Sequence, residues 1–120
     1  MPVELGRLLL AVGSPLLDLR TGAPETAVRG LAILDPDDEP GTYTGELVLV
    51  IGARGREAAR AVRTAGRHGA AAAAVKTSGE ASAELRAAAE DAGLALLAVR
   101  PEARWDQLES VIREVLDGAV

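Results

Sequence analysis

The chain has 120 residues and a formal net charge of −5; 48% of it is hydrophobic, yet only 2% is aromatic, and phenylalanine and cysteine are missing. Lack of cysteine excludes disulfides and thiolate chemistry, and an acidic balance argues against gripping a phosphate backbone, which calls for a basic face. No apolar run approaches the ~20 residues that cross a bilayer, and no signal-peptide pattern opens the chain, so one cytoplasmic domain with a core of small side chains is expected.

Pro2 to Val12 reads as a first helix, with Leu5, Leu8, Leu9 and Val12 on one face and Gly13 as its stop. Two extended segments follow, Leu16 to Arg20 and Val28 to Leu34, separated by the turn-rich Thr21-Gly22-Ala23-Pro24. The stretch from Asp35 to Gly41 holds two prolines and four carboxylates, which suits a loop. The run from Leu47 to Ile51 is apolar throughout, bounded by Gly45-Glu46 and Gly52, and three of its five residues are β-branched. Such a run has the length and character of a strand buried on both faces.

Helical spacing then sets in from Arg56 to His68, with Ala58, Val62 and Ala65 inward and Arg56, Arg60, Arg63 and Arg67 outward. Arg67 and His68 complement the negative end of the helix dipole before Gly69. Residues 70 to 75 are alanines closed by Val75, and alanine prefers helix. An internal echo assigns them to a strand instead. Residues 69–77 match residues 93–101 in position and character, and each stretch follows an alanine-rich helical pattern ending at glycine. Successive βα units account for both copies. Between them, Thr77-Ser78-Gly79-Glu80 has the form of a capping box, opening a helix to about Ala92 with Ala81, Leu85, Ala88 and Ala92 buried. A last helix, Arg104 to Asp117, turns Trp105, Leu108, Ile112 and Val115 inward, with Leu116 flanking. The expected architecture is α/β: a single small domain, order αββ-βαβαβα, with a mostly parallel sheet of four or five strands flanked by helices.

In such a sheet ligands gather at the carboxyl ends of the strands, where helix N-termini and loop amides converge. The candidate ligand-binding residues there are Gly52, Arg54, Lys76, Thr77, Ser78 and Arg100. Three cations, a hydroxyl pair and two helix starts suit a carboxylate or phosphate, so the expected ligand is a small anionic metabolite. No catalytic set, metal set or cofactor motif accompanies them. Asp35, Asp37, Asp38 and Glu39 lack the central glycine and terminal glutamate of a calcium loop, and a solvated acidic turn is the simpler reading. His68 is the lone histidine, without a second ligand or a nucleophile. The arginine stripe reads as a solvated face rather than a nucleic-acid contact, since Tyr43 and Trp105 are the only aromatics. Trp105 reads as core, with a dimer or domain anchor as the alternative.

Gly45-Glu46-Leu47-Val48-Leu49 entering Gly52 resembles the "GELVLTTG" hallmark of the N-terminal domain of PucR-type transcriptional regulators. Leu5 to Leu9 is similar to the family's opening "dLL" helix, and Val28 to Asp35 to its "V…v…D" strand. Arg67-His68-Gly69 through Val75 resembles "aGvaaLvv", Ala92-Gly93-Leu94 through Arg100-Pro101 resembles "GLPLlevP", and Trp105 to Val111 resembles the closing "f.di…v" helix. Val50-Ile51 stands where the family has two threonines, and Leu94-Ala95-Leu96 lacks its proline. The resemblance implies a sensory or interaction domain at the front of a regulator of purine catabolism or another small-metabolite pathway, with a helix-turn-helix DNA-binding domain elsewhere.

Three classes follow. The first is a non-enzymatic regulatory domain that senses a metabolite, self-associates, or both, and makes no direct contact with nucleic acid or membrane. The second is a receiver-like signalling domain or stand-alone interaction module; a receiver requires an aspartate where Gly52-Ala53 stands. The third is a small enzyme, for which no nucleophile–base pair is present.

Overall fold

In the computed structural model, which describes residues 2–13, 16–35, 37, 39–77 and 83–118, a five-stranded sheet lies between two layers of helices. The elements in chain order are β1 (Val3–Glu4), α1 (Leu5–Val12), β2 (Leu17–Thr21), β3 (Ala27–Val28), β4 (Gly30–Leu34), β5 (Glu46–Val50), α2 (Arg56–Arg67), β6 (Ala72–Lys76), α3 (Ala83–Ala92), β7 (Ala95–Val99) and α4 (Trp105–Asp117). The sheet runs β2-β7-β6-β5-β4; β4 to β7 are parallel and β2 is antiparallel on the edge. The α/β class and the mostly parallel sheet are therefore as the sequence implies, and the alanine run is strand β6.

The period of two along each strand divides the core into two layers. Val48, Val50, Ala73, Val75 and Leu96 face one side, where α2 and α3 supply Ala58, Val62, Ala65, Leu85 and Ala88. Leu47, Leu49, Ala72, Ala74, Leu97 and Val99 face the other, against Leu5 and Leu8 of α1 and Leu108 and Ile112 of α4. The first layer is rich in alanine, so α2 and α3 lie close. At Gly66 there is no room for a side chain: a Cβ there would stand 2.4 Å from Ala92 Cβ. The second layer is built mainly from leucine, valine and isoleucine.

The N-terminal segment differs from expectation. The first helix begins at Leu5, not Pro2, because Val3 and Glu4 pair antiparallel with Val28 and Ala27. The extended segment expected from Val28 to Leu34 is likewise divided: β3 pairs with β1, and β4 pairs with β5. The change of partner occurs at Arg29, whose N–H donates to the Gly45 carbonyl at 2.8 Å. Two-residue strands carry too little pattern to be distinguished from a helix start or the end of a longer strand. In the third helix Leu85 and Ala88 are buried as expected, Ala89 joins them, and Ala92 is half-buried. Ala81 and the capping-box residues Ser78, Gly79 and Glu80 lie outside the described residues.

Candidate functional site

The four parallel strands end at one edge of the sheet, and their connections diverge there. The segment after β6 leads to α3 on the alanine-rich side, whereas the segment after β7 leads to α4 on the opposite side. Adjacent strands whose connections leave in opposite directions open a crevice between their ends. Lys76, Thr77 and Arg100 stand at that point.

Lys76 ends β6 on the same side as Ala72 and Ala74, so it points toward α4. Its Nζ stands 5.3 Å from the centroid of the Trp105 ring, a cation–π arrangement with the first residue of α4. Trp105 is half-buried and packs against the leucine-rich layer. It is thus a wall of the crevice as much as a core residue. Thr77 is half-buried, and its N–H donates to the Val99 carbonyl at 3.0 Å, which carries the β6–β7 pairing one step past the strand. The N–H of Arg100 donates to the Leu16 carbonyl at 3.1 Å, and its carbonyl accepts from the Ala103 N–H at 3.0 Å. Arg100 therefore has a fixed backbone and an exposed side chain. Beside it, Asp106 is engaged by Arg104 at 3.3 Å, and Glu102 is exposed in the same connection.

Gly52 and Arg54 follow β5. The pairing of β5 with β6 ends at Val50 opposite Val75, and that of β6 with β7 at Lys76 opposite Val99. Gly52 holds φ at 80° and Gly55 at 55°, conformations that L side chains rarely adopt, and together they turn the chain from β5 into α2. Arg54 is exposed, and its carbonyl accepts from the Glu57 N–H at 3.1 Å. No side chain caps the first turn of α2. The structure thus brings Lys76, Thr77 and Arg100 together at the paired ends of β6 and β7, whereas Gly52 and Arg54 both lie in the turn after β5, beyond the last β5–β6 pair at Val50. Ser78 lies outside the described residues.

Sequence reasoning missed the part played by Trp105. Its pairing with Lys76 depends on α4 and the end of β6 sharing a side of the sheet, which only the topology reveals. A second feature was missed as well. An open cleft of about 280 Å³ lies between the loop after β4 and the outer side of α2. Its helical lining follows the spacing Glu57, Arg60, Ala61, Thr64, a readable stripe that the arginine pattern masked.

The other singled-out residues have simpler surroundings. The N–H of Asp37 donates to Asp35 Oδ1 at 3.0 Å, the geometry of an aspartate-closed turn. Among the described residues no group of three or more His, Asp or Glu side chains could hold a metal ion. His68 is exposed at the end of α2, with its ring 6.1 Å from that of Tyr43. In the arginine stripe, Arg63 pairs with Asp91 of α3 at 3.3 Å, and Arg67 donates to Thr64 Oγ1 at 3.3 Å. Among the described residues no helix is long and apolar enough to cross a membrane. No protein-family model matches the chain, and neither do any curated proteins or solved structures.

Proposed function

We propose that the chain is a non-enzymatic regulatory domain that takes a small anionic metabolite in the β6–β7 crevice and self-associates. In this reading the two events control DNA binding by a separate helix-turn-helix domain, as the resemblance to the PucR-type N-terminal domain implies. The supporting observation is the divergence of the two connections at the ends of β6 and β7, with Lys76 and Arg100 on either side of it. Thr77, next along the chain from Lys76, adds a hydroxyl at the same sheet end. A ligand that bridges the two cations would link the α3 side of the sheet to the α4 side, and so bias how the helical layers present themselves to a second copy. Self-association rests on the resemblance, and Leu10, 86% exposed on α1, is the side chain at which an interface would be sought. A phosphoacceptor reading is weaker, because β5 runs out into Ile51, Gly52 and Ala53 with no aspartate.

Thermal melts against a panel of purine-pathway and other small anionic metabolites test the reading. One member at ten times its Kd is expected to add about 1.4 kcal/mol, or roughly 5 °C for a domain of this length. Combining Lys76→Ala with Arg100→Ala should abolish that gain, measured against the variant's own unliganded melting temperature, which loss of the Lys76–Trp105 contact lowers by about 2–4 °C. No gain with any member, together with a concentration-dependent dimer in sedimentation equilibrium, would leave a purely structural role.

A further inference from the structure

The geometry points to a second ligand site, in the cleft between α2 and the loop after β4, built for a small zwitterion of the α-amino acid type. This site is independent of the β6–β7 crevice, shares no residue with it, and stands or falls separately.

The cleft has an apolar floor and a rim of both charges. Leu34 at the end of β4 and Ala61 on α2 are buried and form the floor, with Pro40 at the side. Glu57 and Arg60 rise from successive turns of α2, and Asp37 faces them from the loop. All three charged side chains are exposed. Glu57 and Arg60 are three residues apart on one helix, a spacing that ordinarily permits an ion pair, yet no pair forms between them. Neighbouring Arg63 is instead matched by Asp91, and Arg67 leans on Thr64. Opposite charges thus flank an apolar strip without neutralising one another.

That arrangement selects by chemistry. A plain anion meets Arg60 but is repelled by Asp37 and Glu57, and a plain cation meets the reverse. A molecule carrying an ammonium and a carboxylate satisfies both, with the ammonium toward the two acids and the carboxylate on the guanidinium fork. An aliphatic side chain then lies on Leu34, Ala61 and Pro40. The volume of about 280 Å³ lies just below the ~300–1,000 Å³ range of drug-sized sites, which suits a ligand the size of a single amino acid.

The test is a titration of ¹⁵N-labelled protein, followed amide by amide, with L-leucine, L-leucinamide and 4-methylpentanoate. Leucinamide lacks the carboxylate, and 4-methylpentanoate lacks the ammonium. L-leucine is expected to shift the amides of residues 57 to 64 and of residue 37, with an affinity at least about tenfold above either analogue, since each lost group removes a charge-assisted contact. Arg60→Gln should abolish the preference over leucinamide, and Glu57→Gln should reduce the preference over 4-methylpentanoate. Both positions are exposed, so both variants are expected to fold. Equal affinity for all three compounds would overturn the proposal. So would shifts confined to residues 76, 77 and 100, or none at all with L-leucine.

Discussion

Ile112→Ala is expected to destabilise the domain by about 2–5 kcal/mol, lowering the melting temperature by roughly 10–20 °C. Ile112 is 0% exposed on α4 and packs in the layer that holds Leu5, Leu8, Leu49 and Leu97. With no phenylalanine in the chain, the large side chains available to the core are chiefly leucine, isoleucine and valine. Such a layer has few flexible groups with which to fill a void, so the cavity term adds to the lost transfer energy. Ile112→Val, which keeps most of the volume, should cost only about 0.5–1.5 kcal/mol. Urea unfolding distinguishes the two: the midpoint falls in order of truncation while the slope stays constant. A loss below about 1 kcal/mol for Ile112→Ala would mean that α4 docks loosely and does not close the layer.

Much of the second half of the fold is legible in the sequence because its elements are long enough for a period to repeat. The Leu47–Ile51 run, the α2 stripe and the α4 stripe each declare their type within their own residues. The β6 alanines do not, since alanine favours helix and shows no alternation. Their strand character comes from the echo with residues 93–101. That echo places residue 75 with 99, whereas the sheet pairs Val75 with Ala98 and Lys76 with Val99. The two copies are one residue out of register, and a one-residue shift reverses the facing. Val75 consequently lies in the alanine-rich layer and Val99 in the leucine-rich one. The N-terminal third was less legible for a physical reason. Strands β1 and β3 are two residues each and exist only because they meet one another.

The candidate crevice was legible in composition but not in geometry. A basic residue at the end of each repeated strand marks Lys76 and Arg100 as neighbours. Nothing local shows that Lys76 faces α4, which follows from the alternation Ala72, Ala74, Lys76 once the sides are assigned. The cleft beside α2 was hidden for the opposite reason. Glu57, Arg60 and Thr64 lie along one helical face, where charged residues are the ordinary solvating choice, and the cleft forms because Leu34, Asp37 and Pro40 from a distant stretch of chain stand opposite them.

Gly66 sets two effects of opposite sign against each other. Glycine within a helix costs about 1 kcal/mol relative to alanine, so on propensity alone Gly66→Ala would stabilise α2. A Cβ at that position, however, would lie 2.4 Å from Ala92 Cβ, 3.1 Å from the Ala92 carbonyl oxygen and 3.2 Å from Leu94 Cδ2. Neither the Ala92 Cβ nor its carbonyl can swing aside as the end of a long side chain would, so α2 and α3 must separate along their shared alanine face. Overpacking of this kind costs about 1–3 kcal/mol, and we expect it to win, with Gly66→Ala destabilising the domain and Gly66→Leu doing so further. A double-mutant cycle isolates the cause. Ala92→Gly removes the closest obstructing atom, so combining it with Gly66→Ala should recover at least about 1 kcal/mol over the sum of the single changes. The exposed Arg63–Asp91 pair joining the same helices contributes less than about 1 kcal/mol and cannot mask a coupling of that size. Additive changes, or a stabilised Gly66→Ala variant, would show that α2 and α3 stand far enough apart in solution for propensity to govern the position.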